Sequence, residues 1–112
     1  MSLVNEPLIA QTSKPPYYAV IFSSLLQPDS AENGYSDMAN TMVELAQQQS
    51  GYLGVESARE ALGITVSYWK DLESIKVWKA NVDHLQAQKL GREKWYASYK
   101  VRIARVDKEY GI

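Results

Sequence analysis

The stretch whose reading decides the fold runs from Gly51 to Trp78, "GYLGVESAREALGITVSYWKDLESIKVW". Within it "LGITVSYWK" (62–70) alternates cleanly. Ile64, Val66 and Tyr68 point one way and Thr65, Ser67 and Trp69 the other, which is the period of a strand. "GYLGVESARE" (51–60) reads as a strand too. Only a few residues around Glu60 to Gly63 separate the two, so they pair as a hairpin. At Asp71 the period changes. Asp71 is placed as an N-cap, with Ser74 in the first turn. Leu72, Ile75, Trp78, Val82 and Leu85 then recur at the spacing of an amphipathic helix.

Upstream, "YYAVIFSSLL" (17–26) is a strand rich in β-favouring residues. "PDSAENGYSD" turns the chain, and from Tyr35 the residues Tyr35, Met38, Met42, Leu45 and Gln49 follow helical spacing. Gly51 is the expected C-cap of that helix. Downstream, "KWYASYKVRIARV" (94–106) alternates again, with Trp95, Tyr99, Val101 and Ile103 opposite Tyr96, Ser98, Lys100 and Arg102. Residues 1–16 show no periodicity and run into "SKPPYY", whose prolines favour an extended arm over a helix. The domain proper is expected over 17–112.

The element order is therefore β-α-β-β-α-β. Right-handed crossovers of that order give an α+β, ferredoxin-like domain, one antiparallel sheet with both helices on one face. The other face, apolar at alternate positions, needs a cover, and a second copy is the simplest one. A homodimer through the open sheet face is expected.

Composition sets the outer bounds. The chain has 112 residues, 46% hydrophobic and 22% charged, with a formal net charge of −1. That suits one folded domain and offers no basic field for a nucleic acid. No apolar run approaches the length of a membrane span, and no secretory signal is evident, so a cytoplasmic protein is expected. Cysteine is absent, which removes thiolate metal sites and cysteine nucleophiles. Eight Tyr and three Trp stand against one Phe, a skew that suits surfaces which are buried yet not purely apolar, such as subunit interfaces and ligand cavities.

Searches for a dinucleotide fingerprint, a phosphate loop or a nucleophile elbow find nothing. One His and no Cys give too few ligands for a conventional zinc or non-haem iron site. What stands out is a polar-aromatic set in "HLQAQKLGREKWY" (84–96). His84, Gln88 and Arg92 are four apart and line one side of a continuous helix. Helical phase sets His84 well away from the Trp78 stripe, which favours a solvated helix side over a pocket wall. Trp69 and Trp78 read first as core residues, and Trp95 with Tyr99 as dimer filler on one face of the last strand. Arg59 and Arg102 are expected to pair with Glu56 or other carboxylates across strands.

"GYLGVESARE", "LGITVSYWKDLESIKVWK", "HLQAQKLGREKWY" and "RIARV" together resemble the antibiotic biosynthesis monooxygenase family of dimeric α+β barrels. The resemblance spans about Tyr17 to Tyr110. It implies the same fold as the periodicity does, a homodimer, and a small-molecule substrate. Haem-degrading members of that family carry an Asn on the first strand, a Trp in the second helix and an axial His ten residues beyond it. Here Trp78 matches the Trp, the first-strand position falls near Ser23, and Gln88 stands in place of the His. An amide is a poor iron ligand beside imidazole, so the resemblance argues against haem degradation.

Members that need no cofactor oxidise phenols, the deprotonated substrate itself supplying electrons to oxygen. Trp69 matches a tryptophan of those members, and Thr65 stands where they carry an Asn. The resemblance thus implies a cofactor-free monooxygenase acting on a small aromatic, phenolic or quinone-like molecule. His84 is the candidate base, its ordinary pKa being near neutrality, and Arg92 the candidate for stabilising developing negative charge. Thr65, Tyr68, Trp69, Trp78, Gln88, Trp95 and Tyr99 are the candidate substrate contacts. The rival reading is a non-catalytic dimeric module that binds a small ligand, such as a porphyrin, or only assembles. Burial discriminates: the site needs His84, Gln88 and Arg92 facing a cavity beside an indole.

Overall fold

The computed structural model describes residues 6–88 and 95–112, and the side chains of all of these except 85–88. The elements are β1 (Tyr17–Leu26), α1 (Tyr35–Gln47), β2 (Tyr52–Arg59), β3 (Gly63–Trp69), α2 (Leu72–Gln88) and β4 (Tyr96–Val106). The four strands form one sheet in the order β2-β3-β1-β4, each antiparallel to its neighbours. This is the expected ferredoxin-like α+β arrangement.

Register follows from the alternation. Val20 sits opposite Ser67 on β3 and Ile103 on β4, and Ser67 in turn opposite Val55 on β2. Those positions face the helices. Ile21, Val66, Glu56 and Arg102 form the adjacent row and face the other way, because side chains alternate across a strand. Between helices and sheet lie two buried clusters. Val20, Ala46, Trp69 and Ile75 make one, with Tyr18, Tyr52 and Trp78 packed against it; Met38, Trp95 and Tyr96 make the other, with Phe22, Tyr35 and Met42 alongside.

Two local expectations change and one holds. Helix α1 ends at Gln47 with Gln48 as its C-cap, so Gly51 does not cap it. Gly51 is instead pressed against the first turn of α2, where an added Cβ would overlap the Ser74 side chain. Asp71 does cap α2, accepting the Ser74 amide at 2.8 Å, and the Ser74 hydroxyl, followed by that amide bond, holds its carboxyl below the usual range. Lastly, a register shift between Leu25 and Leu26 breaks the alternation at the start of β4. Tyr96, expected opposite Tyr99, lies beside it with ring centroids 5.5 Å apart.

The far face of the sheet is not wholly bare. The arm crosses the β2 edge: Glu6 accepts hydrogen bonds from Tyr52 and Gln47 at 3.0 and 2.8 Å, and the Ala10 amide donates to Glu56 at 3.0 Å. From the other end of the chain, Glu109 accepts from the hydroxyls of Thr12 and Tyr17. Arm and tail thus cover the end of the face that holds Tyr17, Glu56 and Tyr68. Among the described residues no helix is long and apolar enough to cross a membrane.

Candidate functional site

A cavity of about 200 Å³ opens between the helices and the sheet. Its sheet wall is built from the helix-facing row: Val20, Phe22 and Ser24 of β1, Val55 and Arg59 of β2, Thr65 and Ser67 of β3, and Tyr99 and Val101 of β4. Its helix wall comes from Tyr35, Ala39, Met42, Val43 and Ala46 of α1 and from Trp78, Lys79, Val82 and Asp83 of α2. The helical period explains both sets, since residues three and four apart share a side. Small Ala39 and Ala46 keep the space open where a larger side chain would fill it.

Aromatic rings dominate one end. Phe22 and Tyr99 stack with centroids 5.4 Å apart and planes 5° from parallel. Tyr96 packs edge-on to Tyr35 at 5.8 Å. At the other side Trp78 lies tilted over Trp69 at 5.1 Å and donates its indole N–H to the Met42 carbonyl at 3.3 Å. That bond fixes the indole across the gap between the two helices.

The polar corner of the cavity is built around Arg59. Its guanidinium donates to the Ser24 carbonyl at 3.3 Å and also to the Ser24 hydroxyl. It sits over the Tyr35 ring, 5.9 Å from the centroid, within cation–π reach. Among the described residues no carboxylate pairs with it. Asp83, the carboxylate lining the cavity, is bound to Lys79 at 2.7 Å. Burial, with Tyr35 beside it, pushes the Tyr96 hydroxyl well above the usual phenol range, although the Arg59 charge opposes the shift. Tyr96 therefore stays a neutral hydrogen-bond donor.

The structure sorts the candidates named from sequence. Thr65, Trp78 and Tyr99 line the cavity, with the Thr65 hydroxyl 2.8 Å from that of Ser57. Trp69 is fully buried behind Trp78, its indole N–H bound to the Ser67 hydroxyl at 2.9 Å. Tyr68 is on the opposite face of the sheet by strand alternation, with its hydroxyl on Glu56 at 2.7 Å. Trp95 is buried in the second cluster and donates to the Asn33 carbonyl at 2.8 Å, so it anchors the turn before α1. His84 is exposed. The phase that brings Trp78, Lys79, Val82 and Asp83 to the cavity turns position 84 away from it. Arg92 and the Gln88 side chain lie outside the described residues. Among the described residues no group of three or more acidic or histidine side chains is placed to hold a metal ion.

Sequence reading missed Arg59, Tyr35, Tyr96 and Ser24. Arg59 was expected to pair with Glu56 or another carboxylate across strands, yet Glu56 faces the opposite side of the sheet. The signal available for Tyr35 and Tyr96 was the tyrosine-rich composition, which carries no position.

The α+β fold of this domain is the one seen in solved structures of antibiotic biosynthesis monooxygenases. Solved structures with the same architecture include SnoaB from Streptomyces nogalater, a cofactor-independent oxygenase, at TM-score 0.67 and 12% identity over 85% of this chain and 97% of that one. A provisionally assigned antibiotic biosynthesis monooxygenase from Nitrosomonas europaea matches at TM-score 0.66 and 13% identity, over 86% and 95% of the two chains. PA3566 from Pseudomonas aeruginosa matches at TM-score 0.65 and 16% identity, over 86% and 97%. No family model matches the chain. In sequence, the uncharacterized protein YqjZ of Bacillus subtilis is 48% identical over 103 residues, 90% of this chain and 89% of YqjZ. The chain belongs to the family of YqjZ.

Proposed function

We propose that the protein is a cofactor-independent monooxygenase for a small aromatic, phenolic or quinone-like molecule, working as a homodimer. The observation that carries this reading is the cavity itself, walled by Trp78, Phe22, Tyr99 and Tyr96 and ending at the guanidinium of Arg59. Flat apolar walls hold a ring, and a fixed cation beside neutral phenol donors favours an oxygen that gains negative charge as the substrate loses a proton. SnoaB, an oxygenase of the same fold that needs no cofactor, lends support. A cavity of about 200 Å³ falls below the roughly 300–1,000 Å³ usual for ligand sites, so the substrate has one or two rings.

In this reading charge stabilisation rests on Arg59, and His84 is a surface residue. Oxygen uptake with a panel of dihydroxybenzenes, naphthols and hydroxyanthrones tests it. One- and two-ring phenols support uptake in the wild type, and Arg59→Met lowers their kcat by roughly a hundredfold, the scale of losing one charge-stabilising donor. No uptake with any member of the panel overturns the oxygenase reading and leaves a binding module.

A further inference from the structure

The end of the cavity at Arg59 has a construction that the apolar walls do not require. Ser24, 4% exposed, uses both its carbonyl and its hydroxyl to hold the guanidinium. Opposite Ser24 across the strand pair is Gly63. A Cβ at Gly63 would occupy the space of the Arg59 guanidinium, coming up against its Cζ, Nη2 and Nε. Gly63 has no left-handed backbone to explain it, so its missing side chain serves as the slot in which the guanidinium lies. Arginine presents five donors in a planar fork. Ser24 accepts from two nitrogens, and among the described residues no carboxylate takes the rest. A cation fixed in a slot, half-satisfied and facing an aromatic cavity, is arranged for an anion.

We infer that the cavity takes a one- or two-ring aromatic anion, its carboxylate or phenolate oxygen seated on Arg59, with Gly63 as the positioning residue that creates the slot. This rests on the reading of the cavity as an aromatic site, and it adds a charge requirement to it. Carboxylate and phenolate share the same chemistry here, an anionic oxygen attached to a ring. Arg59 as a whole is exposed, so the slot lies where the cavity meets solvent and the preference is set at entry.

Isothermal titration of the full-length protein separates the possibilities. Naphthoate is compared with neutral naphthamide, and para-nitrophenolate, in mildly alkaline buffer, with nitrobenzene. In the wild type each anion binds at least roughly tenfold tighter than its neutral partner, the scale of one charge-assisted hydrogen-bonded pair. Arg59→Met abolishes that preference. Gly63→Ala abolishes it too, although the charge is still present, because the added methyl displaces the guanidinium. Thermal melting of both variants verifies the fold; the Gly63→Ala clash is with the end of a flexible side chain, which moves without disturbing the sheet. Preference for only one of the two anions supports the inference and names the group. Equal binding of anion and neutral partner in the wild type, or a preference that survives Arg59→Met, overturns the anion slot and leaves the aromatic cavity standing. Binding of none of the four ligands overturns both.

Discussion

Arg59 and Glu56 stand three positions apart on one strand, and an odd separation puts them on opposite faces of the sheet. Glu56 is taken by the Ala10 amide and the Tyr68 hydroxyl, while Arg59 turns to Ser24. An ion pair with Glu56 or another carboxylate across strands was expected; counting along the strand would have excluded Glu56. His84 illustrates the opposite case, since helical phase already argued for the solvated side and the structure places it there. His84→Ala is therefore expected to leave ligand affinity and turnover within about twofold of wild type, consistent with a surface substitution worth under about 0.5 kcal/mol; titration and oxygen uptake measure both. Tyr96 gives a pH dependence. Its folded-state pKa is raised, first by burial and then by Tyr35, above the roughly pH 10 of a free phenol. The stability it contributes is full below about pH 10 and is lost as pH rises through the folded-state value. The melting temperature should fall above about pH 10, and Tyr96→Phe should make that fall shallower. Tyr52 and Tyr68, raised in the same direction by burial and by Glu6 and Glu56, retain part of the slope.

At the scale of elements, the periods in "GYLGVESAREALGITVSYWKDLESIKVW" were sufficient, and every strand and helix lies within about two residues of where alternation placed it. Alternation fails at the register shift opposite Tyr96, because a bulge exchanges the two faces of a strand without leaving a mark in a polar-apolar pattern. Half of the cavity wall was equally hard to read. Ala39 and Ala46 matter because they are small, and a search for large apolar residues passes over them. Trp69 was legible as core, whereas Trp95, read as dimer filler, is buried in the second cluster; the energetics follow. Trp69 is fully buried against Tyr52 and Trp78, so Trp69→Ala should cost roughly 3–5 kcal/mol. Gly51→Ala should cost roughly 1–3 kcal/mol by overpacking, since the Cβ meets Ser74 in the first turn of α2, and the backbone there is fixed by the Lys70 amide on the Gly51 carbonyl at 2.8 Å. Urea unfolding of the two variants checks both values, and equal midpoints for Gly51→Ala and wild type would remove the packing argument.

For the whole molecule, the question is what meets the sheet. Helices α1 and α2 lie over β1, β2 and β3, so β4 is exposed on both faces from Ala97 to Arg105. Tyr99, Val101 and Ile103 are 39%, 42% and 51% exposed on the helix side. On the far face, beyond the end covered by arm and tail, Ile64 is 40% exposed and Ile21 and Val66 are half-buried, with Lys100 and Arg102 along the same face of β4. An apolar centre with a charged rim, next to a long unpaired edge, is the usual form of a self-complementary contact. We propose that a second copy covers this face. Light scattering on the eluting protein should give the mass of two chains, and Ile64→Asp, which buries a charge at the centre of that contact, should return it to one. The cavity lies on the helix side of the sheet and Ile64 on the other, so the monomeric variant should still bind naphthoate; loss of binding on dissociation would mean that the partner contributes to the cavity wall through β4, where Tyr99 and Val101 stand. A wild type that elutes as one chain at every concentration would leave the apolar face without the cover proposed for it.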